Sequence, residues 1–323
     1  YIGTMLLKNY FISVDWGTTN LRIRLVSNDK FKILKEKGYD LGLKKINLIW
    51  KEYGDKKQTR QEFIFKKLIE LLDDFKINGE NIPLVLISGM ASSSIGIEEL
   101  QYTNLPVDLE NPSIAIKEYE LNGSSINLIS GVKTTKDVIR GEETQLIGLY
   151  QSFIKNKNVL VVIPGTHSKH IYCQNGSFID FETYLTGELF DTITSYTILK
   201  ESVRKNDFNE KNLSSFISGL EIMKKGNRLT KVLFDIRVNN LFKTSTNDEN
   251  YYFLSGLIIG DELLGIKKEK IDSIIIYGAE QISKLYFTAL NYLNVINEII
   301  SVPYEKVGYV EALGQYKIYK CNN

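Results

Sequence analysis

Four short stretches of the 323-residue chain gather the residue types that could do chemistry. The first is Asp15 with Gly17, Thr18, Thr19 and Asn20, at the end of the apolar run 11–14. A carboxylate beside a turn of small residues can hold a divalent cation and a phosphate chain together, through backbone N–H groups at the tip. The plain alternative is a hairpin whose Asp caps its own turn. The second is Arg140, Gly141, Glu142 and Glu143, a glycine and two acids at the start of an apolar-faced helix. One acid there suits the helix dipole. Two acids beside an arginine go beyond capping and are candidates for accepting a proton. The third is Gly165, Thr166, His167 and Lys169, after the apolar run 159–163. The fourth is Gly278 and Ala279, a small-residue turn between a strand and a helix start, which suits adenosine or phosphate as well as a plain connection.

The elements that position these residues repeat. Run 11–14, the Gly-Thr tip, the alternating strand 21–26, a turn at Asn28-Asp29 and a third strand over 31–37 make a meander. The same order returns 148 residues later, with Asn175-Gly176 as its hairpin turn. Gly17-Thr18 falls on Gly165-Thr166, and Ile163 stands where Asp15 does. A long-period internal repeat carries more information than either copy. It predicts an α/β chain of two related halves, each opening on a three-stranded meander, facing each other across a cleft. The phosphate-holding tip is kept twice and the carboxylate once. The expected domains are 1–152 and 153–323, with the last helix packing back on the first.

Between the repeats, 38–58 reads as a glycine-bearing loop, and Thr59 with Glu62 as a capping box. Ile64, Phe65, Leu68, Leu71, Leu72 and Phe75 give the following helix one buried face. Strand 83–87 empties into a turn where Ser92, Ser93 and Ser94 could hydrogen-bond a ligand, the usual place for one in an open α/β sheet. A flexible turn is the equal alternative. Residues 105–112 read as a loop held by two prolines, followed by strands over 116–120 and 126–129. Residues 200–250 read as mostly helical, and 254–264 as a helix whose Gly256 and Gly260 mean close backbone packing rather than chemistry.

Composition closes off several classes. Forty basic and thirty-nine acidic residues leave a net charge of +1, which gives no reason to expect nucleic acid or a membrane surface as partner. The apolar runs are strand-sized, too short to span a bilayer. Two cysteines and two histidines make neither a disulfide framework nor a zinc site, as expected of a cytoplasmic protein. No leader is visible: residues 5–9 lead directly into the first strand, and 1–4 read as an expression remnant or truncation scar. A homodimer is the default expectation on frequency alone.

The doubled hairpin resembles the actin-like ATPase superfamily (ribonuclease H-like), which includes sugar kinases, Hsp70 and actin. Within it, Arg140-Gly-Glu-Glu-Thr-Gln-Leu, Pro164-Gly-Thr-His-Ser-Lys169, Leu185-Thr-Gly-Glu-Leu189 and Phe253-Leu-Ser-Gly-Leu resemble the 2-dehydro-3-deoxygalactonokinase family over essentially the whole chain. The final-helix stretch Ala312-Leu313-Gly314 is similar to that of glycerol-kinase-type enzymes. The stretch 97–103 departs from the family pattern, with Glu98-Glu99 and no Trp after Gly96. The resemblance implies an ATP- and Mg²⁺-dependent kinase acting on the 6-hydroxyl of 2-dehydro-3-deoxy-D-galactonate, in galactonate catabolism. It implies Asp15 for the metal, Glu142 as general base with Glu143 in reserve, and the two tips with Gly278 and Ala279 for ATP. Arg22, Arg140, Lys169 and His167 are the cations available for the sugar acid's carboxylate. A gluconate-derived sugar acid satisfies the sequence equally. Two other classes share the fold: a nucleotide-driven binding module, and a phosphatase or regulator. The absence of a peptide-binding segment and of a basic arm weighs against them.

Overall fold

A computed structural model describes residues 9–29, 31–55, 57–155, 157–206, 208–266, 271–296 and 298–323. The readings of residues 1–4 and 5–8 lie outside these. The described residues form two compact units.

The first unit draws on 1–156, 174–180 and 305–323. Its centre is β1 (Tyr10–Trp16), whose Phe11, Val14 and Trp16 are wholly buried. β1 pairs antiparallel with β2 (Leu21–Ser27), with Asp15 opposite Arg22, and β2 pairs with β3 (Ile33–Tyr39). On its other side β1 runs parallel to β4 (Leu84–Gly89), Asp15 beside Ser88. The short β5 (Thr103–Asn104) and β6 (Val107–Asp108) follow, then β7 (Ile116–Leu121) and β8 (Ser124–Ile129), giving the sheet order β3-β2-β1-β4-β8-β7. β9 (Val132–Lys133) and β10 (Val138–Ile139) join β5 in a small second sheet. Helices α1 (Leu43–Tyr53) and α2 (Arg60–Leu72) set Leu43, Ile46, Ile64 and Leu68 against Val14, Ile23 and Val85 of one sheet face. α2 opens with the capping box expected at Thr59 and Glu62.

α3 (Glu142–Leu149) carries the two acids, and the last helix, α9 (Val307–Asn322), crosses it closely and sets Ala312 on Phe11, Val26 and Leu86. In the same unit β6 pairs with Ser177 and Phe178.

The second unit draws on 157–173 and 181–304. Its strands are β11 (Val159–Ile163), β12 (Ser168–Gln174), the part of β13 (Ser177–Tyr184) from Phe181 on, β14 (Ser273–Ile276) and β15 (Ile299–Ser301). β11 pairs antiparallel with β12 and parallel with β14, and β14 parallel with β15. The order β13-β12-β11-β14-β15 repeats β3-β2-β1-β4-β8, so the Gly-Thr repeat is a repeat of topology. The second tip is one residue longer: it spans 164–168 between paired Ile163 and Lys169, whereas the first spans 17–20 between Trp16 and Leu21.

Helices α4 (Thr186–Tyr196), α5 (Glu210–Lys224), α6 (Leu229–Phe242), α7 (Asn247–Leu264) and α8 (Glu280–Leu293) complete the second unit. A Cβ on Gly256 of α7 would stand 2.1 Å from the Phe216 carbonyl of α5, so backbones meet there as its glycines predict. Among the described residues no helix is long and apolar enough to cross a membrane.

Several boundaries differ from the sequence reading: the helix expected over 254–264 begins at Asn247, and the expected loop 105–112 contains β6. The expected loop over 38–58 contains α1. Its N-cap is Gly42, which offers no side-chain cap, so the usual start signal is missing. The third strand begins at Ile33 rather than 31, because Phe31 takes φ +47°, outside strand geometry.

Candidate active site

In the first unit the tip is held from behind by α1. Gly17 N–H donates to Asn20 O at 2.9 Å and closes the turn. Gly42, Leu43 and Lys44 donate their N–H groups to the carbonyls of Thr19, Gly17 and Thr18 at 2.9, 3.0 and 3.1 Å. A Cβ on Gly42 would lie 2.2 Å from the Thr19 carbonyl carbon, so only glycine admits this approach. The tip carbonyls, which would repel a phosphate, are thereby occupied. Thr18, Thr19 and Asn20 stay exposed.

Asp15 is half-buried at the base of this tip. Burial pushes its carboxyl above the ordinary range, against the pull of Arg24 and Arg22, and Glu142 pushes it further up. Beneath it lies a network that sequence reasoning missed. Buried Arg24 donates from Nε to Glu36 at 2.5 Å and from Nη1 to Glu311 of α9 at 2.9 Å. Glu311 lies close enough to Asp15 for each carboxyl to shift the other. Burial, with Asp15 adding to it, raises Glu311 to about 7. Its Oε1 is buried and accepts from no donor among the described residues. Gln315, one turn on, donates to Val14 O and Ser88 Oγ at 3.0 and 2.7 Å. A signal was present: Arg22 and Arg24 stand two apart on β2 and therefore share a face.

α3 starts where Gly141, at φ +112°, passes 3.3 Å (from its would-be Cβ) over the Gly89 Cα. Glu143 is inaccessible and both its oxygens accept the Gly141 N–H, at 2.9 and 2.7 Å. Burial, with Glu142 adding to it, raises Glu143 to about 8. Glu142 is half-buried, and its Oε2 accepts the Arg140 N–H at 3.0 Å.

Three of the expected sugar contacts, Arg140, Ser92 and Ser93, are committed inside the protein. Arg140 donates from Nη1 to Ser92 O and to Ser92 Oγ, the latter at 2.6 Å, and lies over the Tyr102 ring at 4.1 Å. Ser92 and Ser93 are buried, and their hydroxyls donate to Gly89 O and Met90 O. Arg140 is thus a clamp on the 88–94 turn, since buried polar groups left unbonded would cost about 1–3 kcal/mol each. Ser94 is the exposed hydroxyl of the three. Glu98, in the stretch that departs from the family pattern, is bound by Tyr119 at 2.7 Å and by Lys117.

In the second unit Gly165, Thr166 and His167 are exposed, and a helix again backs the tip. Glu188 of α4 donates its N–H to Thr166 O at 2.9 Å, and a Cβ on Gly187 would lie 2.4 Å from Gly165 O. Lys169 is buried, its Nζ donating to His167 O at 2.7 Å. His167 Nε2 stands 2.5 Å from Glu188 Oε2. Gly278 abuts the tip, its would-be Cβ 3.4 Å from Pro164 Cδ, and Ala279 is exposed at the N-cap of α8. Beside them is a mostly apolar cavity of about 130 Å³, lined by Gly165, Gly187, Tyr251, Ile258, Ile282 and Leu285 among others.

Residues 15–305, which carry both tips and the two acids, match the family model of 2-keto-3-deoxy-galactonokinase. The chain belongs to that family. A protein of Escherichia coli (strain K12) named 2-dehydro-3-deoxygalactonokinase is 28% identical over 261 residues, 80% of each chain. One of Rhizobium meliloti (strain 1021), named as a probable 2-dehydro-3-deoxygalactonokinase, is 27% identical over 299 residues, covering 88% of this chain and 90% of its own. A crystal structure from Sinorhizobium meliloti, titled as a candidate enzyme of the same name, superposes with a TM-score of 0.79 at 25% identity and 96% coverage of both chains. The xylulose kinase of Lactobacillus acidophilus superposes at 0.50 and 12% identity, covering 97% of this chain and 89% of its own. The fold is the actin-like fold of sugar kinases, as the doubled hairpin predicts.

The buried glutamate of this galactonokinase-family chain has a consequence for stability. Glu143 binds its proton up to about pH 8 when folded, against an ordinary value of 4.5. Between those values the folded state holds more protons than the unfolded one, so stability falls as pH rises through the window. Glu311 acts in the same direction up to about 7. Glu143→Gln should flatten the fall by a few kcal/mol between pH 5 and 9. Urea midpoints at each pH measure it; an unchanged slope would count against the buried neutral acid.

Proposed function

We propose that this chain transfers the γ-phosphoryl group of ATP to the primary hydroxyl of 2-dehydro-3-deoxy-D-galactonate, in the cytosol. The observation that carries the reading is Glu142. It is a half-buried carboxylate at a helix start, near enough to Asp15 to disturb its titration, in the unit that holds the first Gly-Thr tip. Phosphoryl transfer asks a protein mainly for positioning and charge neutralisation. Glu142 accepts the hydroxyl proton as the oxygen attacks. Gly17, Thr18, Thr19 and Asn20, and Gly165, Thr166 and His167, hold phosphate oxygens, and Gly278 and Ala279 the adenosine. Arg22, whose side chain is 43% exposed and whose Nε lies 3.9 Å from Glu36, is the cation offered to the sugar acid's carboxylate.

The residues present fit Mg²⁺. Asp15 offers a half-buried carboxylate, and Glu311 keeps an unpartnered buried oxygen in the same network. Mg²⁺ keeps waters and phosphate oxygens in its shell, so few protein carboxylates are needed. Bound there, Mg²⁺ would supply neutralisation of the phosphate charge.

ADP release from Mg²⁺ATP, with and without each sugar acid, tests the reading. At least tenfold stimulation by the galactonate derivative is expected, general-base catalysis being worth that and more. Hydrolysis indifferent to sugar acid would sink it. Preference for the gluconate-derived epimer would move the assignment to that substrate.

A further inference from the structure

One buried charge in the second unit has no part in the chemistry above. Glu262, on α7, is 3% exposed. Its Oε1 accepts from Ser168 Oγ and His170 Nε2, both at 2.8 Å, on the strand that leaves the second tip. Its Oε2 accepts from Tyr286 Oη at 2.6 Å, on the helix that follows Gly278-Ala279, and from Thr186 Oγ1, the first residue of α4. Burial pushes the Glu262 carboxyl up, yet His170, Thr186 and Tyr286 more than offset it and leave it below the ordinary range.

We propose that Glu262 is a positioning residue for nucleotide: one carboxylate holds in register the second Gly-Thr tip, the helix that backs it, and the helix of the adenosine turn. The inference rests on the kinase reading above. Two of the four donors, Thr186 and Tyr286, also line the 130 Å³ cavity beside Gly165. Their hydroxyls turn to Glu262, so they present carbon to the cavity, which suits the face of a heterocyclic base. A residue that served stability alone would not need its partners on that wall. Mere replacement by apolar groups often leaves stability unchanged at buried ion pairs. Here the partners come from three elements, and each of those elements touches the tip or the cavity.

Glu262→Gln keeps the shape and removes the charge on which all four donors converge. Affinity for a fluorescent ADP analogue, measured by equilibrium titration without sugar acid, should fall about tenfold, the worth of one charge-assisted hydrogen bond. KM for ATP should rise in parallel, while kcat and KM for the sugar acid change by less than about threefold. Tyr286→Phe removes a single arm and keeps the charge. It should weaken nucleotide binding about threefold, and it serves if the first variant does not fold. Folded variants that bind nucleotide within twofold of wild type overturn the inference, as does an equal loss of affinity for the sugar acid. Wild-type protein that binds no adenine nucleotide overturns the kinase reading, and the inference with it.

Discussion

Glu142→Gln should lower kcat by about a hundred- to ten-thousand-fold, the range of a general base, with KM for ATP and sugar acid within about threefold. Glu143→Gln should keep turnover within about tenfold. Adjacent acids on one helix start face different surroundings, and the surroundings separate their roles. Glu143 is inaccessible, both oxygens lie on the Gly141 N–H, and its carboxyl stays protonated to about pH 8. A protonated, enclosed acid accepts no proton from a substrate at neutral pH, and glutamine reproduces its neutral form. Glu142 is half-buried, and its Oε2 accepts the Arg140 N–H. Steady-state kinetics on both variants decide the matter, with nucleotide titration to show that ATP still binds. Retained turnover in Glu142→Gln removes it from the role, and collapse in Glu143→Gln alone would transfer the role to its neighbour.

What the sequence shows of this fold follows from how local each signal is. Thr59 and Glu62 are three residues apart, so the capping box is readable and is present. Gly17-Thr18 and Gly165-Thr166 sit at strand ends whose apolar runs are continuous, so both hairpins are readable too. Helix α1 is different. Its start is stabilised by carbonyls of the first tip, more than twenty residues upstream, and its own N-cap is glycine. No pattern within 38–58 announces that support.

The site divides the same way. The types and spacing of Asp15, Glu142 and the two tips are legible locally. Their supports are not: Arg24 meets Glu311 across 287 residues, and His170 meets Glu262 across 92. A buried carboxylate is legible only once its donors are known. Ser92 and Arg140 show the converse. Each looks like a ligand group in isolation, and each satisfies the other across 48 residues.

Gly314→Ala should be the most destabilising of the single-methyl additions, by roughly 2–4 kcal/mol, with a fall of roughly 5–10 °C in Tm. Helices α3 and α9 touch through backbone. A Cβ on Gly314 would lie 1.7 Å from Thr144 O, and one on Gly148 would lie 1.8 Å from Val310 O. Real Cβ atoms do not approach so closely, and the obstacle is main chain, so one helix must move. α3 begins with Glu142 and α9 carries Glu311, so the movement displaces the proposed proton acceptor and the acid beside Asp15 together. Activity should therefore fall below what the folded fraction accounts for. Gly260→Ala is the control. Its Cβ would meet Met223 Cβ and Cγ at 3.2 and 3.3 Å, side-chain contacts that a shift of a few tenths of an ångström relieves, with no main chain in the way. The gain in helix propensity, about 1 kcal/mol, offsets that adjustment, so a change within about 1 kcal/mol is expected. Urea midpoints and specific activity of both variants measure the difference. Equal midpoints would mean that the α3–α9 crossing can slide, and that the helix carrying Glu142 is held by something other than this contact.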